Sequence, residues 1–235
     1  MKLILVILFF ITGSFSCRTN DLYMSATGQT AKKYHWLALG DSYTIGEMLP
    51  LPDNFPNQVY SLMKNESVDF QSPRIIARTG WTTDELEIGF VSANNTDPLR
   101  STYEFVSLLI GVNNQYRGQS VDNYKSEFEE LLKKAIAYAG NKAERVVVLS
   151  IPDWGVTPFA NGRDKAQIAR EIDEYNSANK KMAEQYNVHY IDITPWTREA
   201  ANDNSLLASD GLHPSAKEYK RWAERIVILF KQQLR

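Results

Sequence analysis

The chain has little with which to cross-link itself or to hold a metal. Cys17 is the only cysteine in 235 residues, so no intramolecular disulfide can form. The three histidines, His35, His189 and His213, lie far apart and show no ligand spacing, so no metal site is expected. A surplus of one charge is missing too. The formal net charge is −2 and the Lys and Arg residues are scattered, which sets nucleic-acid binding aside. No P-loop or dinucleotide fingerprint occurs, and there is no internal repeat, low-complexity tract or interdomain linker. No apolar run reaches the roughly 20 residues of a membrane span. What remains is a globular composition, 43% hydrophobic and 11% aromatic, of a length that suits one sizeable domain.

The N-terminus, "MKLILVILFFITGSFSC", reads as an export signal over residues 1–16. Lys2 supplies a positive start, Leu3 to Ile11 form a short apolar core, and the small residues Gly13, Ser14 and Ser16 follow. Cys17 stands where a bacterial lipobox places its lipidated cysteine. Ser16 suits the preceding position, while Ser14 occupies the place where leucine is usual. The expected product is an exported, lipid-anchored protein, periplasmic or on the cell surface. The alternative is a secreted protein in which Cys17 is incidental. Residues 17–33 then form the anchor and a polar, aperiodic tether, and residues 34–235 the domain.

From Tyr34 onward, short apolar runs alternate with amphipathic segments. Runs at 34–39, 74–77, 104–110, 145–151 and 188–193 are β-branched or aromatic, as in strands of a parallel sheet covered on both faces. Helical spacing links Phe55, Val59, Leu62 and Met63; Tyr124, Phe128, Leu131, Leu132 and Ala135; and Ile168, Ile172, Tyr175 and Met182. A last helix starts at "PSAKE", where Ser215 and Glu218 have the spacing of a capping box. The expectation is one α/β domain, a three-layer α/β/α sandwich around a central parallel sheet.

Ligands bind such folds at the carboxyl ends of the strands. Ser42 follows the first run, Gly80 the second and Asn113 the third, so all three belong on that edge. Near the C-terminus, "SDGLHPS" sets Asp210 three residues before His213. A loop of this spacing lets the carboxylate hold Nδ1–H and leave Nε2 as a base toward a serine.

The blocks "LGDSYTIG", "RTGWTTDEL", "IGVNNQYRG" and "DGLHPS" span residues 39–215 in an order that resembles the SGNH, or GDSL-type, serine hydrolases. The resemblance implies a flavodoxin-like fold and an acyl-enzyme mechanism without a cofactor. Ser42 would be the nucleophile, His213 the base and Asp210 its orienting partner. The backbone N–H groups of Ser42 and Gly80 and the side-chain amide of Asn113 would form the oxyanion hole. Asn114 departs from the family's usual aspartate, which leaves the role of that position open. Asp41 is read as support for the turn.

Expected substrates are lipid esters, lysophospholipids among them, or acetylated carbohydrates. The partners are thus an ester substrate and, through lipid on Cys17, a membrane. An O-acyltransferase would need the same residues, and a non-catalytic lipid- or glycan-binding lipoprotein is a further alternative. The α/β-hydrolase elbow is half met, because Thr44 replaces its last glycine. Trp81, Tyr116 and Trp154 fall beside strand ends, where they line a pocket or pack in the core. Asp153 and Asp192 there contact substrate or cap helices. His35 and His189 are read as structural.

Overall fold

In the computed structural model, which describes residues 32–64 and 68–234, the apolar runs become parallel strands. The chain divides into two units, Met1–Thr30 and Ala31–Arg235. The first unit, with the expected signal segment, Cys17 and most of the tether, lies outside the described residues. All that follows concerns the second.

The strands are β1 (Lys33–Tyr34), β2 (Trp36–Asp41), β3 (Asp69–Phe70), β4 (Arg74–Arg78), β5 (Phe105–Leu109), β6 (Val146–Leu149) and β7 (His189–Ile191). Five form the central sheet in the order β4-β2-β5-β6-β7, every neighbouring pair parallel. Counted along the chain within that sheet, the order is 2-1-3-4-5, the flavodoxin-like arrangement. Two details were not foreseen. The first run splits at His35, and β1 pairs with the short β3 as a separate parallel ribbon. Lys33, the last residue assigned to the tether, is part of that ribbon.

Helices cover both faces. The long ones are α2 (Phe55–Lys64), α3 (Thr83–Thr96), α5 (Val121–Tyr138), α6 (Lys165–Gln185) and α8 (Ala216–Gln233); α1 (Ser42–Ile45), α4 (Val112–Tyr116) and α7 (Thr194–Arg198) are single turns. On one face Phe230 of α8 stacks on Phe105, centroids 3.9 Å apart, and meets Trp36 edge-on. Phe55 of α2 joins this cluster against Trp222. The second layer comprises α3, α5 and α6. Tyr124 of α5 donates to the Ile110 carbonyl beyond β5 and packs on Tyr175 of α6. Strands β2 and β5 are buried along their whole length, which is why their sequences lack polar alternation.

Helix α3 escaped the periodicity reading for a physical reason. It buries Leu86 and Phe90, yet Ile88 and Val91 are 66% and 58% exposed, so its apolar residues make no single stripe. A capping box begins it: Thr82 and Glu85 bond each other's backbone N–H groups. At α8 the box forms only in part. Ser215 accepts from the Glu218 N–H, whereas the Glu218 side chain turns inward to accept from Trp222 Nε1 at 2.8 Å and to pair with Arg221. Among the described residues, no helix is long and apolar enough to cross a membrane.

Candidate active site

The site lies at the carboxyl edge of the sheet, where the chain leaves β2 and β5 toward opposite faces. That is the switch point of this topology. Three strand-end turns and one C-terminal loop meet there.

The first turn is built by its own sequence. Asp41 ends β2, and its Oδ1 accepts from the Tyr43 N–H at 2.9 Å, capping α1. Ser42 becomes the first residue of that helix, where a backbone N–H has no intrahelical acceptor. Gly40 is needed because a Cβ there would stand 2.2 Å from Thr44 Oγ1 and 2.4 Å from the Leu109 carbonyl. Burial raises the Asp41 carboxyl to about 7. Its Oδ2 has no hydrogen-bond partner among the described residues. Asp41 therefore supports the turn and takes no part in orienting the base.

The C-terminal loop supplies the partner of the Ser42 hydroxyl. His213 Nε2 lies 3.0 Å from Ser42 Oγ, and His213 Nδ1 lies 2.6 Å from Asp210 Oδ2. The other Asp210 oxygen accepts from the Leu212 and His213 N–H groups, both at 3.0 Å. Burial pushes the Asp210 carboxyl up, but the His213 ring and these two N–H groups more than offset it and hold the carboxyl below its usual range. The Tyr43 ring packs on the imidazole, centroids 5.0 Å apart. An isolated antiparallel bridge, Leu207 to Pro214, fastens the loop at its base.

Gly80 and Asn113 line the same cavity as Ser42 and His213. Gly80 has φ +81°, a left-handed conformation that other residues adopt only with strain. Asn113 donates one amide proton to the Trp81 carbonyl at 2.9 Å. An amide carries two such protons, so one is left for a ligand. The structure thus gathers Ser42, Gly80, Asn113, Asp210 and His213 in one place.

The model of the GDSL-like lipase/acylhydrolase family matches residues 38–221. The chain belongs to that family. No curated protein matches this sequence. Solved structures with the same fold include that of TesA, 16% identical with TM-score 0.64, covering 85% of this chain and 99% of that one. The esterase EstA of Pseudoalteromonas sp. is 18% identical with TM-score 0.63, covering 85% and 98%. The acetylxylan esterase Axe2 of Geobacillus stearothermophilus is also 18% identical, with TM-score 0.62, covering 84% and 94%.

In this GDSL-like chain the other candidates divide. Tyr116 and Trp154 line the cavity. Phe159, which the sequence reading missed, completes a trio with them at centroid separations of 5.3 to 6.1 Å. Gln115 accepts from Trp154 Nε1 and donates to Glu171, both at 2.7 Å, so the indole is held by a second layer of bonds. Trp81 is a packing residue instead: its ring lies so close to Gly89 of α3 that a Cβ there would be 2.2 Å away. Asp153 caps the turn carrying Trp154 and pairs with Arg198 at 2.8 Å. Asp192 accepts from the Thr194 N–H and from Ser150. Both carboxylates serve the scaffold. His35 precedes β2 and His189 opens β7, at the opposite edge of the sheet. Among the described residues no cluster of His, Cys, Asp and Glu is arranged to hold a metal ion.

Proposed function

We propose that the protein is a serine esterase that cleaves carboxylic esters through an acyl-enzyme on Ser42. The observation that carries this reading is the relay from Asp210 through His213 to Ser42 Oγ, with separations of 2.6 and 3.0 Å. The imidazole takes the Ser42 proton as Oγ attacks the acyl carbonyl, and the resulting oxyanion is met by the N–H groups of Ser42 and Gly80 and the amide of Asn113. Collapse expels the alcohol, which receives the proton from His213. Water then attacks the acyl-enzyme by the same route and releases the acid.

The cavity supports a small acyl group. It is an open cleft of about 160 Å³, close to the roughly 150 Å³ that accommodates a benzene ring in an apolar protein cavity. Among the described residues no carboxylate, lysine or arginine lines it; beyond Ser42, Gly80, Asn113 and His213 its wall is Thr79 and the apolar or aromatic Tyr43, Val112, Tyr116, Trp154, Phe159 and Leu212. Short-chain esters of lipids or carbohydrates fit this description, and the fold is shared with an esterase and an acetylxylan esterase. Treatment with a fluorophosphonate should label Ser42 and abolish hydrolysis of p-nitrophenyl acetate, and Ser42→Ala should lose both. Unlabelled, folded protein, or a Ser42→Ala variant with wild-type turnover, defeats the reading. In a series of aryl esters, turnover should fall as the acyl chain outgrows the cavity.

The location proposed with it is extracytoplasmic, with lipid on Cys17. The support is the sequence of residues 1–17. Growth with a radiolabelled fatty acid should label the wild type and leave Cys17→Ser unlabelled.

A further inference from the structure

Asn114, directly after Asn113, stands where the resemblance of the third block leads us to expect aspartate, and its surroundings account for an amide there. Asn114 is fully buried, as is Thr83. Its Oδ1 accepts from the Thr83 N–H at 3.2 Å. Its Nδ2 donates to Thr83 Oγ1 at 2.6 Å and to Gln119 Oε1 at 2.7 Å. The Thr83 hydroxyl in turn donates to Glu127 Oε2, while Glu127 Oε1 accepts from Asn123 at 2.9 Å.

A hydroxyl has one proton. Because Thr83 gives its proton to the Glu127 carboxylate, its oxygen can only accept from residue 114. An amide satisfies that requirement and a carboxylate does not. With aspartate at position 114, two carboxylates would claim one hydroxyl proton at the buried end of the network, Asn114 and Thr83, where an unmade bond is costly.

This network also ties together two of the three proposed oxyanion donors, Gly80 and Asn113. Thr83 stands three residues after Gly80, and Asn114 directly follows Asn113. Two further bonds join the same segments: Asn113 Nδ2 to the Trp81 carbonyl, and Arg117 Nη2 to the Gly80 carbonyl at 2.6 Å.

We infer that Asn114 is a positioning residue. Through the directed chain of hydrogen bonds from Asn114 to Thr83 to Glu127 it sets the placement of the Gly80 N–H relative to the Asn113 amide, and the polarity of that chain makes asparagine the residue required. The inference rests on the proposed esterase reading.

The test is a reversal of polarity. In Asn114→Asp, kcat for p-nitrophenyl acetate should fall about tenfold to a hundredfold, the scale of a displacement of about 1 Å in a catalytic site. KM should change little, and affinity for a boronic acid that mimics the tetrahedral intermediate should fall with kcat. Fluorophosphonate should still label Ser42 to full stoichiometry. Adding Glu127→Gln gives Thr83 a new donor on the far side and frees its proton for the carboxylate introduced at position 114, while Gln119 can turn its amide to donate. The double variant should recover to within about threefold of wild type, the coupling expected of residues in one network. If Asn114→Asp does not fold, the double variant alone carries the test, and it must fold and be active. Wild-type kcat in Asn114→Asp, or a double variant no faster than the single, overturns the inference. Wild-type protein that fluorophosphonate does not label overturns the esterase reading instead.

Discussion

The two halves of the site are held in different ways. In the half with the proposed nucleophile and base, the bonds that orient each group are local. Asp41 caps the helix that begins at Ser42, two residues from the N–H it accepts, and Asp210 binds the ring and backbone of a histidine three residues on. Two tertiary contacts, Ser42 Oγ to His213 Nε2 and the Tyr43 ring on the imidazole, join these self-organised turns. In the half with the proposed oxyanion donors Gly80 and Asn113, the bonds that join the two donor loops are long-range. Thr83 to Asn114, Asn113 to Trp81 and Arg117 to Gly80 bridge 31, 32 and 37 residues of chain. A reaction needs both halves rigid. Short-range bonds suffice where the loop itself has the right shape, and cross-braces are needed where two separate loops must present donors to one point.

Breaking the local half should cost most. Asp210→Asn retains an oxygen for the Leu212 and His213 N–H groups but turns an amide N–H toward Nδ1. The imidazole must then carry its proton on Nε2 and cannot accept from Ser42. A loss on the order of a thousandfold in kcat is expected, with KM little changed and the melting temperature close to that of wild type. Wild-type kcat in this variant would place the base elsewhere.

Removing one donor from the braced half should cost less. Asn113→Ala loses both the oxyanion contact and the link to the Trp81 carbonyl. About a hundredfold loss of kcat is expected, the usual scale for one such donor, while fluorophosphonate labelling of Ser42 persists at a reduced rate. Equal losses in Asn113→Ala and Asp210→Asn would erase the distinction between the halves.

The smallest effect concerns Asp41, whose role is to shape the turn. Its carboxyl is raised by burial from 3.8 to about 7, so the folded protein keeps this proton after the unfolded chain has released it. The associated stability is full below about pH 4 and is lost as pH rises to about 7. Asp41→Asn cannot ionise and retains an acceptor for the Tyr43 N–H. Its melting temperature should therefore rise relative to wild type between about pH 4 and pH 7 and hold a constant difference above. A difference independent of pH would show that Asp41 titrates normally.

The same division between local and long-range bonds decides how much was legible in the amino-acid sequence. The buried strands declared themselves through unbroken apolar runs, and α2, α5, α6 and α8 through one-sided apolar stripes, because those faces press on a single sheet. Helix α3 did not, since its Ile88 and Val91 point to solvent beside a thin buried edge. Its Thr82–Glu85 capping box was in plain view, yet the same signature at Ser215 and Glu218 was the one singled out. At Ser215 the inward pull of Trp222 and Arg221 on Glu218 undid half of it. Phe159 reached the cavity wall from a short turn without periodicity. Trp81, which lies beside a strand end and was open to either the cavity wall or core packing, packs against α3.

Local chemistry was therefore the province of the sequence. The strand and helix pattern, the turn around Ser42, and the pairing of Asp210 with His213 follow from residues within a few positions of one another. The separate β1–β3 ribbon, the split of aromatic residues between cavity and core, and the amide chain through Asn114 were decided only by tertiary structure. Those outcomes depend on which segments meet and in which direction each shared proton points, and neither is encoded by spacing along the chain.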